Sequence, residues 1–208
     1  METENDFNIT NGILTRYKGT EKNVVIPHSV RYIYIDAFNE RDDIISIDIP
    51  YGVASIYERA FYGCSNLTNI NIPDSVTFIG DRAFDGCANL TSISIPYGVT
   101  SIENWTFENC GNLTSVNIPN GVKTIGQDAF SGCNKLANIT IPDSVRFIGS
   151  YAFSRCKSLT SVNIPGSVIH IGNFAFSECS NLTKANIPDD VAHTGKGIFY
   201  GCDKLNLQ

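Results

Sequence analysis

Apolar residues recur along this chain with a fixed interval of 23 residues. Within one interval, the segment N-I-N-I at positions 69–72 alternates polar and apolar side chains, which is the pattern of a half-buried β-strand. The sequence therefore predicts a short strand from Leu67 to Ile72. Pro73 ends that strand, because proline has no N–H to donate to a neighbouring strand.

The second half of the interval predicts a return path. Val76 and Ile79 are expected to point inward from a second short extended piece. The following segment, GDRAFDGC, is too short to be a stable helix by itself. We predict a single helical turn or an irregular arc, with Ala83, Phe84 and Cys87 facing inward.

This unit repeats eight times without insertion or deletion. A unit of this size cannot bury its own apolar face, so stacking of identical units is expected to form a continuous core. Parallel strands about 4.8 Å apart would make eight coils a rod or arc of roughly 40 Å. All prolines and all cysteines lie on this lattice: Pro27, Pro50, Pro73, Pro96, Pro119, Pro142, Pro165 and Pro188, then Cys64, Cys87, Cys110, Cys133, Cys156, Cys179 and Cys202.

The strand motif L-x-x-I-x-I-P resembles the leucine-rich repeat signature. The longer motif P-x-x-V-x-x-I-x-x-x-A-F-x-x-C resembles the BspA-like leucine-rich repeat family over about residues 24–207. The resemblance implies a leucine-rich-repeat solenoid with a parallel sheet on one face and short strands, turns or single helical turns on the other. One departure concerns the asparagine that usually follows the strand, which is replaced by Ser29, Gly52, Ser75, Gly98, Gly121, Ser144, Ser167 and Asp190.

The first 23 residues differ from the repeats. Asn11-Gly12 between two alternating segments predicts a β-hairpin. We expect residues 1–23 to form a tail and hairpin cap, and residues 24–208 to form the solenoid within a single domain. Candidates for the packing face of the cap are Phe7, Ile9, Ile13 and Leu14.

The other end carries no comparable cap in the sequence. Leu205 takes the leucine position of a ninth strand, and an unprotected terminal coil is a site for edge pairing. We therefore expect this end either to pair with another chain or to continue in a longer protein.

Composition narrows the classes of function. The chain is 42% hydrophobic and 17% charged, with a net charge of −6, so it has enough apolar material for a core. Its basic residues are scattered singly, which argues against nucleic-acid binding. The sequence predicts neither a membrane span nor a signal peptide.

Candidate chemistry is sparse. Each cysteine is alone in its unit, so the cysteines are interpreted as core residues rather than metal ligands. His170 and His193 should be neighbours on adjacent coils, and a two-histidine metal site is the alternative to two partly exposed side chains. No catalytic motif is present, so we expect neither an enzyme nor a cofactor.

Repeated asparagines in N-L-T triplets are expected to serve the return turn rather than to carry glycans, which favours a bacterial source. Positions that vary between units should lie on the surface. Aromatic side chains there are candidates for protein contact, and packing within each coil is the alternative. The candidates are Tyr51, Tyr97, Trp105 and Tyr151.

Together these patterns predict a non-enzymatic protein that presents an interaction surface. The family resemblance implies a cell-surface or secreted adhesion module, with a host matrix or cell-surface protein as its ligand. The alternative is a structural scaffold that self-associates through its C-terminal coil.

Overall fold

Each 23-residue unit forms one coil of short strands and an arc of turns. Seven of the eight coils have two strands, and the coil that contains Pro142 has only the strand Phe147–Ile148. The computed structural model describes residues 6–189 and 191–206, so Asp190 lies outside the described residues. These ranges contain strands and turns but no α-helix. The strands are β1 Phe7–Thr10, β2 Ile13–Tyr17, β3 Asn23–Val25, β4 Tyr32–Ile33, β5 Ser46–Asp48, β6 Ser55–Ile56, β7 Asn69–Asn71, β8 Phe78–Ile79, β9 Ser92–Ser94, β10 Ser101–Ile102, β11 Ser115–Asn117, β12 Thr124–Ile125, β13 Phe147–Ile148, β14 Ser161–Asn163, β15 His170–Ile171, β16 Lys184–Asn186 and β17 His193–Thr194.

The longer strands form the first face of the solenoid. They pair in parallel as β3-β5-β7, β9-β11 and β14-β16, always with a register offset of one unit, as in Ile47 opposite Ile70. The strand predicted from Leu67 to Ile72 is shorter than expected. Its leucine belongs instead to the preceding turn, because the Leu67 N–H donates to the Cys64 carbonyl at 3.0 Å.

The two-residue strands form a second face. They pair in parallel in the sheets β4-β6-β8 and β10-β12-β13-β15-β17, and the hairpin strands β1 and β2, which pair antiparallel, extend the first of these sheets through β2 and β4. A serine lies two residues after four of the eight strand-ending prolines and supports the turn between the two faces. The Ser75 hydroxyl accepts the Gly52 N–H at 2.9 Å and donates to the Val53 carbonyl at 2.8 Å. This bridge to the preceding coil takes the place of the asparagine found in the general leucine-rich pattern.

The remaining part of each coil is an arc of turns with two left-handed residues. The predicted alternative of an irregular arc is therefore the one observed. Its alternate N–H groups donate to the next coil, as from Arg59 to the Asp81 carbonyl and from Phe61 to the Ala83 carbonyl. Two columns have positive φ in all eight coils: Asp36, Arg59, Arg82, Trp105, Asp128, Tyr151, Phe174 and Gly197, then Glu40, Gly63, Gly86, Asn109, Gly132, Arg155, Glu178 and Gly201.

The core is a set of stacked columns. Ala83, Phe84 and Cys87 are fully buried, as predicted. Each phenylalanine of this column stacks on its neighbour, with ring centroids 5.4 Å apart between Phe84 and Phe107. Each thiol donates to a carbonyl of the preceding coil, as from Cys87 to Phe61 at 3.2 Å. The seven cysteines are buried free thiols.

The hairpin covers the first coil. Asn11 and Gly12 both have positive φ, as a two-residue hairpin turn requires. Phe7 and Leu14 are buried, whereas Ile9 and Ile13 are only partly buried. Tyr17, whose burial was not predicted from the sequence, is also buried and extends the phenylalanine stack.

Arg41 occupies the cysteine position of the first coil and binds the hairpin through its side chain. Its guanidinium donates to the carbonyls of Tyr17 and Gly19 and pairs with Asp43 at 2.7 Å. The unusual first repeat is therefore explained by its contact with the hairpin.

Candidate protein-binding surface

Tyr51 and Tyr97 lie in the turns that follow two strand-ending prolines. Their exposed fractions are 79% and 74%, the highest of the large apolar side chains described. They occupy the same position in coils two units apart, which separates them by about 10 Å along the stack. Both therefore project into solvent beside the first sheet.

Trp105 and Tyr151 lie elsewhere, on the arc. Both have positive φ, and both have an internal partner. The Arg82 guanidinium lies 4.5 Å from the centre of the Trp105 ring, and the Tyr151 ring stacks on Phe174 at 5.2 Å. The structure therefore does not bring the four predicted contact residues together. The two loop tyrosines lie on the same side of the solenoid without touching, and the two arc residues pack against their own neighbours.

Some polar side chains of the first sheet hydrogen-bond to the same position of the adjacent coil. The Ser46 hydroxyl donates to the Asn23 amide oxygen at 2.7 Å, and Asn186 donates to Asn163 at 3.1 Å. The asparagines of the return turn behave alike, as Asn112 donates to Asn89 at 2.7 Å. These bonds stabilise the stacking of coils, so the side chains that make them are less available for recognition than the loop tyrosines.

A second aromatic surface, which was not predicted from the sequence, lies on the face of the two-residue strands. Tyr32, Tyr34 and Phe78 are exposed there, and Tyr57 is partly exposed among them. A signal was present in the sequence. Tyr34 and Tyr57 stand in a column that is otherwise mostly glycine: Gly80, Gly126, Gly149, Gly172 and Gly195.

The cysteine thiols are buried, whereas the side chains of His170 and His193 are exposed. Burial raises the pKa of Cys64 to about 12 and likewise raises the pKa of Cys156 to about 12, so these thiols stay protonated near neutral pH. The rings of His170 and His193 are exposed neighbours, 6.0 Å apart. Within residues 6–189 and 191–206, no three histidine, cysteine or acidic side chains converge on a point that could hold a metal ion.

Comparison with known families identifies the repeat. Residues 16–137 and 100–207 match a family model described as BspA type leucine rich repeat region, in 6 copies. The chain belongs to the BspA type leucine-rich repeat family. No curated protein matches it at a significant level.

Solved structures of bacterial leucine-rich repeat proteins share the fold of this family member. The Treponema pallidum leucine rich repeat protein is 35% identical, with 99% of this chain and 90% of that chain covered and a TM-score of 0.76. A leucine rich cell surface protein from Faecalibacterium prausnitzii is 25% identical, with 98% and 80% covered and a TM-score of 0.56. A leucine-rich repeat protein from Eubacterium ventriosum is 26% identical, with 97% and 48% covered and a TM-score of 0.62.

The family and these neighbours establish the solenoid predicted from the sequence. In the described part of the chain, no helix combines the length and apolar character needed to cross a bilayer.

Proposed function

We propose that this leucine-rich repeat protein is a non-enzymatic protein-binding module of the cell-surface or secreted adhesion type. The observation that carries the proposal is the exposure of Tyr51 and Tyr97, since tyrosine is enriched among residues that dominate binding energy. Its polar side chains repeat from coil to coil instead of forming one unique constellation, which favours binding over catalysis. The name of the Faecalibacterium neighbour, a cell surface protein, supports the same location.

The loop tyrosines are tested by binding to purified matrix and cell-surface proteins in surface plasmon resonance. The double variant Tyr51→Ala/Tyr97→Ala should weaken binding by at least about tenfold, because it removes two exposed aromatic contacts. Asn120→Ala/Asp143→Ala is the matched control, since both residues occupy the same exposed loop position. Its dissociation constant should stay within about twofold of wild type. Absence of binding to every protein in the panel, or full affinity in the tyrosine variant, would contradict the proposal.

Trp105 and Tyr151 are retained as secondary contact candidates on the arc. Their packing against Arg82 and Phe174 leaves only part of each ring available to a partner. We therefore rank them below Tyr51 and Tyr97.

Self-association is a second proposal, favoured by one observation on the last coil. The N–H groups of Gly197, Phe199 and Gly201 occupy the positions that donate to a next coil elsewhere, and none of them bonds to a described residue. A second molecule, or a further coil of the natural protein, could accept these hydrogen bonds. Light scattering at rising concentration should then show masses above one chain, whereas a constant single-chain mass would contradict pairing between molecules.

A further inference from the structure

The missed aromatic surface borders a pocket of about 300 Å³. The Tyr57 ring lies 5.4 Å from Tyr34 and 5.9 Å from Phe78, with interplanar angles of 57° and 58°. Tyr57 and Phe78 form one wall of this pocket. The volume is at the small end for ligand sites, which suits a single side chain rather than a larger molecule.

Gly80 lines the pocket, where two coils approach closely. A Cβ atom at this position would come within 2.7 Å of the Glu58 nitrogen, closer than real Cβ atoms approach. The Gly80 N–H also donates to the Ile56 carbonyl at 2.9 Å, which holds this part of the lining against the preceding coil. The pocket is therefore a built feature of the close approach between two coils.

Three carboxylates from successive coils line the same pocket: Glu58, Asp81 and Glu103. One oxygen of Asp81 accepts the Asn104 N–H at 3.0 Å. The nearby arginines are engaged elsewhere, as Arg59 pairs with Asp36 and Arg82 pairs with Asp85. Among the described residues, none of the three pocket carboxylates has a cationic partner, so the pocket combines aromatic walls with uncompensated negative charge.

We propose that this pocket binds a lysine or arginine side chain from a basic segment of a partner protein. The aliphatic stem of such a side chain packs against aromatic rings, while its cationic head meets ring faces and carboxylates. Because this chain carries a net charge of −6, charge complementarity favours a basic partner over a second copy of the same chain. The inference rests on the proposed protein-binding role, but it concerns a surface separate from the loop tyrosines.

The test is an NMR titration of the whole chain with short glycine-serine peptides that carry one central arginine or lysine. Citrulline and acetyl-lysine peptides are the neutral counterparts. The charged peptides should bind with a dissociation constant of about 1 mM and shift the resonances of Tyr57 and Phe78. Each neutral counterpart should bind at least about tenfold more weakly. Separate titrations with arginine and lysine show whether a guanidinium or an ammonium group is preferred.

Matched variants locate the effect in the pocket. Phe78→Ser places a serine where Ser55 and Ser101 stand in other coils, so the fold should tolerate it. It should weaken binding of the charged peptides by at least about fivefold. Its control is Phe147→Ser, which changes an exposed residue of the same column outside the pocket and should have no effect.

The charge component is tested by Glu103→Gln against Asp143→Asn. Both remove one negative charge, but only Glu103 lines the pocket, so only its variant should lower affinity, by about threefold or more. Equal affinity for the charged and neutral peptides, no binding at about 10 mM, or equal effects of the paired variants would overturn the proposal. Tyr51→Ala should leave peptide binding unchanged, so failure here would not count against the loop tyrosines.

Discussion

At the scale of single residues, Asp85 has an unusual position. It is buried on the arc, where three later coils place Ser131, Ser154 and Ser177. Burial raises the pKa of its carboxyl, although the carboxylate accepts hydrogen bonds from Asn109 and Arg82. Burial also raises the pKa of Glu108 on the next coil, and the neighbouring Asp85 charge adds to this effect.

A raised pKa in the folded state has a defined sign for stability. Between its usual value of 3.8 and the raised value, the folded chain binds more protons at Asp85 than the unfolded chain. The contribution of Asp85 to the free energy of unfolding therefore falls as pH rises through that window. Above the window, the charged and buried carboxylate disfavours folding by its full amount.

Asp85→Ser should remove this pH dependence. Urea unfolding at about pH 4 and about pH 7 measures the free-energy difference between variant and wild type. The variant should gain stability relative to wild type as pH rises, because serine carries no charge to bury. A stability difference that does not change with pH would show that the Asp85 carboxyl titrates as an exposed group.

Some of these residue environments could be read from the sequence. The 23-residue repeat predicted that Phe84 and Cys87 are buried, because apolar positions that recur in every unit stack into continuous columns inside the solenoid. Tyr17 was missed because it lies outside the lattice. The left-handed backbone at Trp105 was also missed, since its column contains charged and aromatic residues and glycine only once. Hydrogen bonds to the adjacent coil hold this conformation, and the residue types in the column do not indicate a positive φ.

At the scale of elements, the phenylalanine column links every coil. The ring centroids of Phe107 lie 5.4 Å from Phe84 and 5.3 Å from Phe130, and its side chain is fully buried. Tyr17 and Phe7 continue the stack into the hairpin, at 5.4 Å and 4.9 Å. The column therefore couples the hairpin cap to the coils through one uninterrupted row of rings.

Phe107→Ala should lower the free energy of unfolding by about 3–5 kcal/mol, because it leaves a cavity between two rings that cannot collapse together. Phe147→Ala is the control, since this side chain is 45% exposed and should cost less than about 1 kcal/mol. Urea denaturation of both variants measures the two costs. Similar losses for the two would mean that the column does not carry the stacking energy.

The strands were predicted from the sequence more closely than the arc. Proline spacing located the strands, because proline has no N–H for strand pairing and therefore marks the end of each strand. The arc left two alternatives open, since GDRAFDGC is compatible with a helical turn or with irregular turns. Inter-coil hydrogen bonds, such as Arg82 N–H to the Asn104 carbonyl at 3.0 Å, select the second. The acidic aromatic pocket could not be predicted, because Glu58, Asp81 and Glu103 converge only after stacking.

At the scale of the whole molecule, each coil contacts its neighbours, and the hairpin shares a sheet with the first coils through β2 and β4. We propose that residues 1–23 and 24–208 form one domain on this basis. In such an array, stability is close to a sum over coils and their interfaces. Repeating positions then serve the architecture, and the positions that vary are free to serve recognition.

The most direct test of whether variable positions bind while repeating positions stabilise the fold is to replace the loop tyrosines with a residue found at the same position in other coils. Thermal melting and partner binding are both measured. Tyr51→Asp/Tyr97→Asp installs the residue that Asp74 and Asp143 contribute to the same column. We expect a melting temperature within about 2 °C of wild type and a loss of partner affinity of at least about tenfold. Unchanged affinity, or a melting temperature that falls together with affinity, would contradict this expectation.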